Sequence, residues 1–329
     1  MKTYNSFTRA YVDLCRLVRD EYEFESSPRG MKIKESLGVQ FRIKNPRDRL
    51  PMVSARNFSA SYFVAETLWY LSGSDSTAWI SRYASFWKGI SDDGVTANSA
   101  YGARIFRPHD RIASRGIVQW DYVKEELRKD PDSRRAVIHI RTPDDSLHAV
   151  KDVPCTLALQ FFIREGKLHL HVNMRSSDII LGIAYDVPAF TVMQEVMANE
   201  LGVGLGEYVH TSNSLHCYER DFEMLDAIAN DRELPWQNHP MPPLPKVFPL
   251  DELMRIEEQV CKMTDGEFLD GVVPLVHKSS DSAEDPAHKL VNDWRNILCS
   301  FRARSMKETK LAHLYLRSTE YKGYHFFKR

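Results

Sequence analysis

No stretch of the 329-residue chain approaches the ~20 consecutive apolar residues that a membrane-spanning helix needs, so a transmembrane protein is not expected. The opening residues, Met1-Lys2-Thr3-Tyr4-Asn5-Ser6-Phe7, lack an apolar signal core, which argues against export. Net charge is nearly absent as well, with 44 Lys and Arg against 45 Asp and Glu. Such a balance excludes a global pull toward nucleic acid or anionic membranes, so any bound phosphate must be met by a local cluster. Cys15, Cys155, Cys217, Cys261 and Cys299 are odd in number, scattered and without metal-ligand spacing. They exclude a disulfide framework, imply no metal, and point to a reduced, cytoplasmic chain. Internal repeats and low-complexity tracts are missing too.

What is present reads as a mixed α and β chain. Residues 5–20 place Phe7, Tyr11, Leu14, Leu17 and Val18 at helical spacing, and Phe58 to Leu71 forms a second, more apolar helix ending at Gly73; both are expected on a sheet. Ala136 to Arg141, Leu157 to Ile163 and Leu168 to Met174 read as strands, the last two joined through Arg164-Glu165-Gly166-Lys167. Phe190 to Leu201 predicts a buried helix closed by Gly202, then Glu207 to Tyr218 a strand and Glu219 to Ala229 a helix. Six prolines between Pro235 and Pro249 interrupt every periodicity. We therefore divide the chain into 1–234, a catalytic domain, and 235–329, a Pro-rich segment with amphipathic helices at 251–264 and 284–306 packed on it. The second helix carries Leu290, Trp294, Leu298 and Phe301 on one side.

Chemistry gathers in separated blocks. Cys155 follows Pro154 just before an apolar strand, where a rigid proline holds it at a strand edge. A lone cysteine there is usually a small buried hydrophobe. Arg134-Arg135 lies upstream and Arg175-Ser176-Ser177-Asp178 downstream, and guanidinium groups fork onto phosphate oxygens. Taken singly, the tandem arginines read as a solvated turn, Glu66 as a helix-surface acid, Tyr101 as a turn aromatic, and His216 and Tyr218 as core residues. No basic stripe with interleaved aromatics accompanies the arginine pair, which weighs against RNA binding.

Together, Pro154-Cys155, Gln160-Phe161, the Gly-Lys-Leu turn, Met174-Arg175-Ser176-Ser177-Asp178, Leu181-Gly182 and Leu215-His216-Cys217-Tyr218 resemble thymidylate synthases in identity, order and spacing. So do Glu66-Thr67-Leu68-Trp69-Tyr70-Leu71, Tyr101-Gly102 and Asp130-Pro131-Asp132-Ser133-Arg134-Arg135, and the likeness runs to about residue 230. The resemblance implies an α+β fold with a large mixed sheet whose face forms a homodimer. It implies a pyrimidine nucleoside monophosphate substrate and 5,10-methylenetetrahydrofolate as co-substrate. It makes Cys155 the nucleophile at C6 of the base, its thiolate favoured by nearby arginines. Glu66 becomes the carboxylate that organises water, and Tyr101 the tyrosine beside the C5 proton-removal water. Arg175, Ser176 and the loop residue Arg29 become phosphate ligands, joined by Arg134 and Arg135 from the partner subunit. His216 and Tyr218 take the sugar hydroxyl, from alternate positions on one strand face. Trp87, Asp178, Gly182 and Tyr185 fall where the family holds the folate, Asp178 also lying near the nucleotide.

One residue redirects the base. Thymidylate synthases carry asparagine where this chain has Asp186. An ionised carboxylate only accepts hydrogen bonds, which suits the N4 amino group of cytosine and a protonated N3 in the C6 adduct, but not O4 of uracil. The pattern resembles the cytidylate 5-hydroxymethylases of the superfamily, acting on CMP or dCMP and finishing with water instead of hydride. Thr156, Met174 and Ser212-Asn213-Ser214 depart from the synthase pattern, and the end Gly323-Tyr324-His325-Phe326-Phe327-Lys328-Arg329 replaces its closing segment. A thymidylate synthase or cytidylate methyltransferase that yields dihydrofolate is the alternative within the class, and a non-catalytic nucleotide-binding homologue the alternative outside it.

Overall fold

The computed structural model describes residues 1–108, 116–146, 150–231, 239–272 and 285–327. Residues 235–238 of the Pro-rich segment, the first residue of the 284–306 helix and the last two residues lie outside them. The strands are β1 (Lys2–Tyr4), β2 (Phe24–Ser26), β3 (Ile33–Ile43), β4 (Val137–His139), β5 (Thr156–Arg164), β6 (Lys167–Met174), β7 (Ser177–Asp178) and β8 (Gly204–Tyr218). They form a mixed sheet in the order β1-β3-β8-β6-β5-β4, with β2 added on β3 and β7 on β8. Between β5 and β6, Glu165 and Gly166 both take positive φ, 51° and 69°, the pair of left-handed residues that a tight two-residue hairpin turn requires. β6 then runs parallel to β8, a partner distant in sequence. Alternation decides what faces the core: Leu168, Leu170, Val172 and Met174 point inward, whereas His169, His171 and Asn173 are half-buried on the opposite face.

The helices are α1 (Phe7–Asp20), α2 (Ala60–Leu71), α3 (Thr77–Ile80), α4 (Trp87–Ile90), α5 (Tyr101–Phe106), α6 (Gln119–Lys129), α7 (Ile183–Leu201), α8 (Phe222–Ala229), α9 (Leu250–Lys262), α10 (Asp265–Val272), α11 (Pro286–Ser305) and α12 (Thr309–Arg317). α1 packs on β3 as its apolar stripe predicts. α2 does not lie on the sheet as expected: all of its residues are buried, and its main neighbours are α5, α7 and α11. A helix apolar all round needs cover on every side, and a second helical layer supplies it.

α7 begins at Ile183, earlier than the predicted start at Phe190, and carries Pro188 inside it. Proline there removes the N–H that would reach the carbonyl of Ala184, and Thr191 Oγ1 bonds the carbonyls of Val187 and Pro188 instead. The helix survives that loss because its length is buried against α2 and the sheet. The early start places Tyr185 and Asp186 on the first turns of a rigid element.

In the C-terminal part, Trp294 of α11 lies edge-on to Phe63 of α2 at 6.0 Å and to Phe248 at 5.6 Å, and its indole N–H donates to Tyr324 at 3.1 Å. Glu257 of α9 is buried and accepts from Trp79 at 2.9 Å, Tyr83 at 3.0 Å and Arg82 at 3.1 Å. Phe327 reaches Phe58, at 4.9 Å between ring centres. Among the described residues no helix is long and apolar enough to cross a membrane.

Candidate active site

Cys155 sits at the start of β5, where its own carbonyl accepts the backbone N–H of Arg175 at 2.8 Å. The Arg175 guanidinium folds back over the same loop. Nε donates to the carbonyl of Pro154 at 2.9 Å, and Nη2 donates to that of Val153 at 2.8 Å and approaches Cys155 Sγ at 3.6 Å. Arg175, expected as a phosphate ligand, is thus also the cation that holds the cysteine loop, with Nη1 left for an anion. Burial pushes the Cys155 thiol up, and Arg175 and Arg29 oppose this by favouring the thiolate. Burial wins in this chain, so enclosure favours the thiol over the thiolate that the arginines alone suggest. Arg29 sits exposed on a loop at a positive φ of 54°.

Two buried carboxyls, Glu66 and Asp186, and the half-buried Asp178 interact with one another, and Asp186 reaches Cys155 electrostatically. Glu66 is held through Oε1 by the Tyr62 hydroxyl at 2.6 Å, while Oε2 is buried with no hydrogen-bond partner among the described residues. Burial raises Glu66 to about 7, against the pull of Tyr62 and Tyr70. Asp186 lies on the first turn of α7, 8% exposed, and no donor among the described residues reaches its carboxylate. Burial first, then the charges of Glu66 and Asp178, hold it well above the usual carboxylate range. Its neutral acid is therefore favoured, where the sequence alone suggested an ionised carboxylate. Asp178 is better supported: Oδ1 accepts the backbone N–H groups of Ile180 at 2.8 Å and Leu181 at 3.4 Å. Tyr101 is buried against Thr156, within electrostatic reach of Cys155 and Asp186.

β7 pairs with β8 so that Asp178 stands opposite His216. His216 and Tyr218 share one face of β8 as predicted, their rings edge-on at 5.1 Å. Ser176 is half-buried beside Arg175. Arg134 and Arg135 are exposed, in no ion pair among the described residues, and are not brought to this chain's own Cys155.

A flat aromatic wall closes the other side. Tyr185 stacks on Phe58 at 4.8 Å and meets Tyr62 edge-on at 4.7 Å, and the Trp87 indole donates to the Tyr62 hydroxyl at 3.1 Å. At Gly182 a Cβ would come within 2.9 Å of the Asp178 carbonyl, so only glycine fits at the start of α7. Aromatic walls, a position without a side chain and an unpaired carboxylate oxygen fit a flat, polar ring such as the pterin of a folate. Arg56, not singled out in the sequence, lies over the Tyr185 ring at 5.2 Å and interacts with its hydroxyl, with Nε and Nη2 buried. Tyr62 also escaped notice, because an aromatic in an apolar helix reads as core.

The departures from the synthase pattern meet one another. Thr156 Oγ1 donates to Met174 Sδ at 3.0 Å across β5 and β6, so two of the changes form one contact. Ser214 donates to Glu35 at 2.7 Å, and Ser212 Oγ is buried without a partner.

The family model described as thymidylate synthase matches residues 9–244. Deoxyuridylate hydroxymethyltransferase of Bacillus phage SP01 is 35% identical over 230 residues, 65% of this chain and 58% of that protein. The chain thus spans less than two thirds of that relative. Thermostable thymidylate synthase A from Bacillus subtilis superposes with a TM-score of 0.59 at 23% identity, over 70% of this chain and 86% of that one, and shares its fold. With the matched region holding strands β2 to β8 of the sheet, α7 and every candidate residue of the cysteine-centred site, the chain belongs to the thymidylate synthase family.

Proposed function

We propose that this protein is a one-carbon transferase that converts cytidylate, CMP or dCMP, to its 5-hydroxymethyl derivative. The observation that carries the base assignment is Asp186: a buried acid, without a donor among the described residues, within electrostatic reach of Cys155 and Glu66. Methylenetetrahydrofolate supplies the one-carbon unit when bound against Trp87, Tyr185 and Gly182. Arg175, Ser176 and Arg29 take the phosphate, and its binding near Cys155 sets the thiol against C6 of the base. Loss of the thiol proton and attack at C6 push electron density toward N3 and C5. A neutral Asp186 donates to N3 and accepts from the N4 amino group; as the adduct forms, its proton passes to N3, leaving a charge-assisted pair. Uracil has no ring nitrogen to take that proton, since its N3 already carries one. Glu66, poised at about 7, removes a proton from the water that completes the hydroxymethyl group.

Arg134 and Arg135 serve a second copy of the chain, whose sheet face packs on the half-buried face carrying His169 and His171. The site then belongs to a homodimer.

Uridylate is the second reading. A protonated Asp186 with its carbonyl toward N3–H and its hydroxyl toward O4 also satisfies uracil, and the phage relative is named for deoxyuridylate. Comparing kcat/KM on CMP, dCMP, UMP and dUMP in wild type and Asp186→Asn tests the assignment. Asparagine offers the same donor and acceptor but no proton to pass to N3, so the charge-assisted pair of the adduct is lost, at a cost of about 1–3 kcal/mol, and the cytidylate-to-uridylate ratio falls roughly tenfold to hundredfold in the variant. An unchanged ratio means that Asp186 does not face the base.

A further inference from the structure

Tyr62 lies four residues before Glu66 on α2, a spacing that stacks the two on one helix face. Its hydroxyl donates to Glu66 Oε1 at 2.6 Å and accepts the indole N–H of Trp87 at 3.1 Å. Both Tyr62 and Glu66 are 5% exposed. The Tyr62 ring is itself fixed, edge-on to Tyr185 at 4.7 Å and 76°. One carboxylate oxygen is thereby engaged, and Oε2 is buried with no hydrogen bond among the described residues, the Tyr70 hydroxyl nearby adding to the pull of Tyr62 on the carboxyl.

We infer that Tyr62 is a positioning residue for the proposed reaction: it fixes the Glu66 carboxylate so that Oε2 alone faces the reacting water, and it ties that orientation to Trp87. The inference rests on the role proposed for Glu66. Among the described residues the Trp87 indole N–H has no other acceptor, so removing the Tyr62 oxygen orphans a buried donor and frees a buried carboxylate together. The aromatic ring alone cannot replace either bond.

Tyr62→Phe keeps the ring and its packing and removes one oxygen. A hydrogen bond to a charged group is worth enough for kcat to fall roughly tenfold to hundredfold, with nucleotide KM held within about threefold. The bond also opposes the burial that raises Glu66, so the acid limb of the kcat profile moves to higher pH in the variant. In a Glu66→Gln background the same change adds no further loss, because Tyr62 acts through Glu66. Wild-type kcat and an unmoved limb in Tyr62→Phe, or full additivity in the double variant, overturns the inference. If the wild type converts no nucleotide, the proposed function falls and the inference is read without turnover. The fluorescence of Trp87, taken as the difference from Trp87→Phe, then titrates near pH 7 with Glu66. That midpoint rises in Tyr62→Phe and disappears in Glu66→Gln; a midpoint indifferent to Tyr62 overturns it.

Discussion

Replacing Glu66 by glutamine is expected to strengthen the fold while slowing catalysis severely. Glu66 is buried, and burial lifts it from 4.5 to about 7. Between those values the folded chain holds a proton that the unfolded chain has released, so the stability contributed by this group is complete below 4.5 and declines as pH rises through 7. The interval of about 2.5 pH units, at about 1.4 kcal/mol each, amounts to roughly 3 kcal/mol by neutral pH. Glutamine matches the protonated acid in shape, still accepts from Tyr62, and does not titrate. Denaturant unfolding of both proteins across pH 5 to 8 should show the variant gaining about 2–3 kcal/mol on the wild type, with turnover reduced to a small residual rate throughout. A stability difference that stays flat with pH would refute the claim that Glu66 is a strained, near-neutral acid in the folded site.

Cys155→Ser should lower turnover by roughly three orders of magnitude or more while nucleotide affinity persists, since the oxygen nucleophile leaves Arg175 and its loop bonds in place; substantial remaining activity in a kinetic assay would remove the covalent step. Gly182→Ala forces a Cβ to within 2.9 Å of the Asp178 carbonyl, and should raise KM for the folate more than KM for the nucleotide. Mixing Cys155→Ser with an Arg134→Ala/Arg135→Ala variant, each inactive alone, should restore about a quarter of wild-type activity, because half of the dimers are hybrid and each carries one complete site. Two inactive proteins that stay inactive after subunit exchange would place those arginines outside the active site.

Local rules carried much of the fold. The 164–167 turn was legible because Glu-Gly accepts the two positive φ values of a tight hairpin, and α1 because its apolar stripe has a single face to cover. The start of α7 was not legible, since Pro188 signals a break and only burial on every side overrides it. The parallel pairing of β6 with β8 depends on contacts far apart in sequence, which no local pattern encodes. In the site, residue types and their order located Cys155, Arg175, Asp178 and His216. Their protonation was hidden, because it follows from burial: the sequence suggested an ionised Asp186 and a thiolate Cys155, whereas enclosure favours the protonated forms of both. Tyr62 and Arg56 were silent for a related reason, as their polar atoms gain meaning only once Glu66 and Tyr185 stand beside them.

The most direct measurement is incubation with methylenetetrahydrofolate and each of CMP, dCMP, UMP and dUMP, followed by mass spectrometry of the nucleotides. A cytidylate that gains the elements of CH2O, with no dihydrofolate formed, is the predicted result. A gain of CH2 alone together with dihydrofolate, or modification confined to the uridylates, would contradict it.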